Sequence, residues 1–214
     1  MMRSNFDRQL RQLHQALTEM GAMCEQAIAA SVSALLDGDK AGAETAMERE
    51  RDIDRQEREV EGLCMKLLLQ QQPVAGDLRA ISSALKMISD MERIGDQAAD
   101  IAEITRHTGS RALPGHLHIR EMARAAVKMV AGSVASFVES DLQMAKEVMI
   151  YDDVVDQLFD EVKEELTALI RSDSSSAGEA LDWLMIAKYL ERIGDHAVNI
   201  AEWVTYAITG SKSG

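Results

Sequence analysis

Cysteine, proline and aromatic residues are all scarce in this chain of 214 residues, which has two Cys, two Pro and 4% aromatics. Cys24 and Cys64 stand far apart, with no Cys-x-x-Cys and no Cys/His cluster near them. That excludes a zinc finger or a disulfide framework and predicts reduced, largely buried thiols. With so few prolines and aromatics and as many as 13 methionines, the composition is rich in helix formers and poor in strand formers, and predicts an all-α protein. No stretch approaches the roughly 18 consecutive apolar residues of a membrane span, and the first turns carry Arg3, Asp7, Arg8, Arg11 and Glu19 without an apolar run. Neither a spanning helix nor a signal peptide is predicted.

Positive charge is also in deficit. Lys and Arg number 23 against 36 Asp and Glu, for a net charge of -13. Phosphate-backbone binding needs clustered cations, so nucleic acid is excluded as a direct partner, and adsorption to anionic lipid is disfavoured. The same charge suits cations. There is no phosphate-binding loop, no Gly-x-Ser-x-Gly and no Glu-x-x-His, the last being the usual signature of carboxylate-bridged dimetal enzymes in helical bundles. A non-enzymatic protein is expected.

What is present is a duplication. Glu92-Arg93-Ile94-Gly95-Asp96 recurs 99 positions later as Glu191-Arg192-Ile193-Gly194-Asp195, and the seven residues after it recur almost unchanged. Helical periodicity runs from about Asn5 to Leu36, from Asp39 to about Gln70, and from about Ala75 to His107. Asp37-Gly38-Asp39 supplies a stop and a cap, and Gln72-Pro73 a break. Thr108 to Gly115 is the expected linker. A second set of helices is then predicted from about Gly115 to Glu139, on to Arg171, and from Gly178 to Ile208, with junctions at Ser140-Asp141 and a Ser-rich loop. The organisation predicted is six helices in two tandem, pseudo-symmetric three-helix bundles, residues 1–110 and 111–214. Asp54 aligns with Asp156 at an offset of 102, against 99 for the third helices, which places a difference of three residues in the loop between second and third helices.

On a helix advancing about 100° per residue, Glu92, Asp96, Asp100 and Glu103 fall within an arc of about 80°, as do Glu191, Asp195, Asn199 and Glu202. Gly95 and Gly194 lie between this stripe and the apolar face. Each costs roughly 1 kcal/mol of helix propensity relative to Ala, which predicts a closely packed partner helix. The second helices offer candidates, with Glu50 and Asp54 in one half and Asp152 and Asp156 in the other, each pair one turn apart. Facing acidic rows repel and need arginine, protons or a metal ion to neutralise them. All-oxygen donors suit Mg²⁺, Mn²⁺ or Ca²⁺, and carboxylate-bridged iron is also feasible. The alternative is a solvated face paired along the helix with Arg51, Arg55, Arg93 and Arg192. Glu57, Glu59 and Glu61, and likewise Asp160, Glu161, Glu164 and Glu165, are read as surface. His196 lacks a repeated counterpart and is a weaker candidate ligand. Met87, Met91, Met122, Met129, Met144 and Met149 fit core filling or, alternatively, an adaptable docking surface.

The doubled Glu-Arg-Ile-Gly-Asp block, preceded by Gln72-Pro73-Val-Ala-Gly-Asp77-Leu-Arg79, resembles the PhoU family of phosphate-transport accessory proteins over essentially the whole chain. The resemblance implies a cytoplasmic regulator at the inner face of the membrane. It implies an adaptor between the ATP-binding subunit of a phosphate ABC transporter and a membrane sensor histidine kinase, repressing the starvation response when phosphate is plentiful. A homodimer is expected. So are metal ions, Mg, Mn, Fe or Zn, on the acidic motifs, which map onto Glu50, Asp54, Glu92, Asp96, Asp100, Asp152, Asp156, Glu191, Asp195 and Asn199. Asn199 stands where the first half has Asp100, so the second site carries less negative charge. The Ser-rich stretch of the second half leaves Asp77 and Arg79 without counterparts. The alternative is a paralogue serving another phosphate transporter or metal and phosphate homeostasis.

Overall fold

A computed structural model describes residues 2–70, 73–108 and 118–211. These form six long helices: α1 (Met2–Asp37), α2 (Lys40–Gln70), α3 (Ala75–Thr108), α4 (Ile119–Glu139), α5 (Leu142–Ser172) and α6 (Ala177–Thr209). A short 3₁₀ turn at Ser174–Ser176 precedes α6, and no strand occurs among the described residues. The predicted helices match closely. The boundaries that differ by more than two residues are the start of α1, at Met2 instead of Asn5, and the start of α4, at Ile119 instead of Gly115. The predicted linker after Thr108 lies outside the described residues, as does Gln72 of the predicted break.

The helix junctions show the duplication in backbone geometry. Gly38 and Ser140, 102 positions apart, both adopt left-handed φ, 64° and 54°. At these paired sites Asp39 N–H donates to the Ala34 carbonyl and Asp141 N–H to the Ser136 carbonyl, both at 2.8 Å. The carboxylates that follow cap the next helix. Asp39 accepts from Ala41 N at 3.1 Å and Asp141 from Gln143 N at 2.8 Å. Each cap satisfies donors that a helix start leaves open. Ser140 holds a conformation that costs a non-glycine residue roughly 1–2 kcal/mol, so the bonds across the turn are what keep it there.

The units α1–α3 and α4–α6 share one continuous core, which runs from Leu13 and Met20 through Ile53, Met87 and Met91 to Met129, Val155 and Ile193 without a break. Met87, Met91, Met122 and Met129 are buried there and Met149 packs against it, so core filling describes them. Cys24 and Cys64 are free and buried.

The central helices α3 and α6 lie antiparallel. Asp90 meets His196 and Asn199, whereas Asp100 meets Tyr189 and Arg192. With the offset of 99, Asp90 corresponds to Tyr189 and Asp100 to Asn199, so these are the same contact made twice about a pseudo-two-fold axis. Near one end of the seam the Arg79 Nε–H donates to the Ala207 carbonyl at 3.4 Å. This gives one residue of the unmatched Gln-Pro…Asp-Leu-Arg segment a role in joining the halves.

Candidate functional site

The glycine of each repeated block is where the acidic rows are brought together. A Cβ on Gly95 would come within 2.9 Å of Ile53 Cδ1 on α2, and one on Gly194 within 3.3 Å of Asp152 Oδ1 on α5. At Gly95 a side chain would run into the buried Ile53, so only glycine lets α2 sit this close to α3, whereas at Gly194 a methyl needs the Asp152 carboxylate to move aside. The second helices are therefore the predicted partners, and the consequence is that α2 acids face α3 acids and α5 acids face α6 acids.

In the first half the cluster is interlaced with arginine. Arg93 reaches Asp96 with Nη1 at 3.1 Å and Glu92 with Nε at 3.5 Å, and Arg58 lies 3.8 Å from Asp54. Burial raises the Glu50 pKa, and Asp54 and Asp96 raise it further against the pull of Arg51. Burial and Asp96 raise that of Glu92, opposed by Arg93. Glu57, expected on the surface, belongs to this cluster. It is half-buried, its pKa is raised by burial and by Asp54, and it acts in turn on Glu92. Its position seven after Glu50 and three after Asp54 puts it on their face, a signal present in the sequence.

Among the described residues the second half is laced less, its one such ion pair being Lys188 with Glu191. Asp152 is pushed from 3.8 up to about 6, by burial first and then by Asp156, Asp195, Asp153 and Glu191. Every charged neighbour that moves it is an acid. Lys188 pairs with Glu191, while Asp156 and Asp195 are exposed. Phe159, at the position matching Glu57, instead lies under Lys163 and Lys188, 5.0 and 5.5 Å from its ring centroid.

The remaining two predicted site residues sit at the seam between halves. Asn199 Nδ2–H donates to Asp90 Oδ1 at 3.2 Å. Asp100 has its pKa raised by burial, Asp96 and Glu103, offset by Arg192 and by the nearby Tyr189 hydroxyl. His196, the weaker candidate, has its Nδ1 2.9 Å from Asp90 and serves the same seam. Glu165 also departs from the surface reading. It is half-buried, with Oε1 2.9 Å from His118 Nδ1, whereas Asp160 and Glu164 are exposed.

The all-oxygen donor set and the uncompensated repulsion at Asp152 both fit a hard cation. The side chains do not already form a cage. Among the described residues no three Asp, Glu, His or Cys side chains converge on one ion position, so loading requires carboxylates to turn inward. Nucleophilic thiol chemistry is disfavoured, since burial pushes both Cys24 and Cys64 up to about 12 and the thiolate is the reactive form. No helix among the described residues is long and apolar enough to cross a membrane.

Comparison with known proteins agrees with the duplicated plan. The family model described as the PhoU domain matches twice, over residues 17–105 and 119–204. The chain is 36% identical over 214 residues to a phosphate-specific transport system accessory protein PhoU homolog of Clostridium acetobutylicum, covering 99% of this chain and 98% of that one. It is 33% identical over 208 residues to the homolog of Pseudomonas aeruginosa, covering 96% and 86%. The crystal structure of PhoU from Pseudomonas aeruginosa superposes with a TM-score of 0.89 at 32% identity, over 96% of this chain and all of that one. The phosphate transport system regulatory protein PhoU from Streptococcus pneumoniae gives 0.90 at 26% identity, over 98% and 99%.

Proposed function

The chain belongs to the PhoU family, and from that membership we propose that it regulates phosphate uptake and phosphate-starvation signalling without catalysing a reaction. Its partners are the ATP-binding subunit of a phosphate ABC transporter and a membrane sensor histidine kinase, which it meets at the cytoplasmic face of the membrane, as a homodimer. The observation that carries this reading is the full-length similarity to phosphate-specific transport accessory proteins, which covers both copies of the domain.

The mechanism is a shift of populations. An adaptor that binds one state of the transporter or kinase more tightly than the other moves that equilibrium by the difference in affinity, with no turnover required. The continuous core makes the two halves one body, so partners bound at separate faces are held in fixed relation.

Metal ions belong to the proposal as structural neutralisers of the acidic rows. In the first half Glu50, Asp54, Glu92 and Asp96 would hold the cation, and in the second Asp152, Asp156, Glu191 and Asp195. Asp100 and Asn199 flank these sets at the seam. The charge offset that the ion supplies is what Asp152 lacks from the side chains around it.

The test is a starvation reporter such as alkaline phosphatase, measured with phosphate in excess in the source organism lacking this gene. Reporter activity switched on is the expected result. Activity that stays off places the chain with a different phosphate transporter or in metal and phosphate homeostasis.

A further inference from the structure

Helix α4 carries Arg120, Arg124 and Lys128, exposed and one turn apart, against only Glu121 and Glu139. This is a cationic row on a chain of net charge -13. Lys128 turns toward α5, with its ammonium 3.8 Å from the Tyr151 ring centroid. The two arginines instead border a groove of about 400 Å³ between α1 and α4, whose apolar floor includes Val32, Leu36, Ala123 and Val127. Asp37 also lines it, accepting a hydrogen bond from Ser33 Oγ at 3.2 Å. Neither arginine has an ion-pair partner among the described residues.

The duplication supplies an internal control. At the offset of 102 that relates Gly38 to Ser140, Arg120 and Arg124 correspond to Thr18 and Ala22, and Asp37 corresponds to Glu139. Val32 against Ala123 is likewise the counterpart of the Gly21–Val134 contact, where a glycine Cβ would be 3.1 Å from Val134. The fold therefore builds this α1/α4 surface twice, and only one copy bears the arginines. They are not needed to pack the two helices. Guanidinium groups a turn apart beside an apolar floor, without an ion-pair partner among the described residues, match carboxylates at i and i+4 on a helix whose neighbouring face is apolar.

We propose that the α1/α4 groove docks an acidic amphipathic helix of a partner protein, its carboxylates on Arg120 and Arg124 and its apolar side chains on Val32, Leu36 and Val127. This deepens the adaptor reading only in assigning it a partner surface. The two fail separately, because the docking test uses purified protein and the reporter does not.

The probe is a fluorescein-labelled synthetic helix with glutamates at three successive one-turn positions beside a leucine stripe, titrated with the full chain and read by anisotropy. One-to-one binding is expected, weakened at least tenfold in R120E/R124E and weakened by salt, as surface ion pairs require. A peptide with lysines replacing the glutamates should bind R120E/R124E better than it binds the natural chain, which a fold defect would not produce. Equal binding of the acidic peptide to both proteins overturns the proposal, as does no binding to the natural chain. Displacement by inorganic phosphate at constant ionic strength, but not by chloride, also overturns it and makes the arginines a small-anion site.

Discussion

The two acidic clusters descend from one plan and neutralise themselves differently. On α2, Arg51, Arg55 and Arg58 are interspersed among the acids, and Arg58 lies against Asp54. At the aligned positions α5 has Asp153, Gln157 and Asp160. On the third helices the arginine is retained but used differently. Arg93 stays with Glu92 and Asp96 of its own half, whereas Arg192 acts across the seam on Asp100. The first cluster is thus held largely by its own cations, and the second keeps its repulsion, concentrated on Asp152. A duplicated acidic motif does not therefore mean two equivalent sites, since the residues between the acids decide how much charge is left for an ion.

The largest expected effect that sharpens this contrast is pH dependence. Asp152 has a folded pKa of about 6 against an ordinary 3.8, so the folded state holds its proton more tightly than the unfolded chain. Stability from this group is fully present below the unfolded value and is lost as pH rises through about 6. After discounting for solvent screening at a half-buried carboxylate it amounts to about 1–2 kcal/mol. In metal-free protein, thermal melts should show Asp152→Asn gaining stability relative to the natural chain as pH rises through this window, and added Mn²⁺ should narrow the gap by stabilising the natural chain more than the variant, which keeps the first-half acids. The corresponding Glu50→Gln should show a smaller shift, because Arg51 already opposes the repulsion there. Equal shifts in both halves would break the comparison.

The glycines give a smaller difference. Gly95→Ala drives a methyl against the buried Ile53, and overpacking of about 2 kcal/mol outweighs a helix-propensity gain of about 1 kcal/mol. Gly194→Ala meets a carboxylate oxygen that can rotate away, so the propensity gain should leave it neutral or slightly stabilised. Urea denaturation of the two variants measures the difference. The smallest effect is the transplant Asp153→Arg, which gives α5 the counterpart of Arg51. It should stabilise the metal-free protein by about 0.2–1 kcal/mol, lower the Asp152 pKa, and weaken Mn²⁺ binding in calorimetry. Stronger Mn²⁺ binding would contradict the view that leftover repulsion attracts the ion.

Much of this was legible from residues alone. The Asp39 and Asp141 caps, the Pro73 break and the spacing of the blocks mark the helices and the duplication, because caps and apolar periods are local properties of the chain. Gly95 and Gly194 pointed to the close approach of the second helices, because a mid-helix glycine has a cost that needs a reason. Glu57 was legible but passed over, since its spacing from Glu50 and Asp54 is the same helical rule that grouped the others. His118 against Glu165 was not legible, for nothing local links a residue before α4 to the C-terminal part of α5.

By itself the sequence determined six helices, two matching halves and an acidic row on the second and third helix of each, since 3.6-residue periodicity decides which side chains share a face. The tertiary structure alone decided what those faces meet. It directed Asp90 to His196 and Asn199, set Arg192 near Asp100 across the seam, and left Arg120 and Arg124 bordering an apolar groove. These outcomes depend on the register between helices about a hundred residues apart, and that register is settled by the packing of the shared core, which no local pattern records.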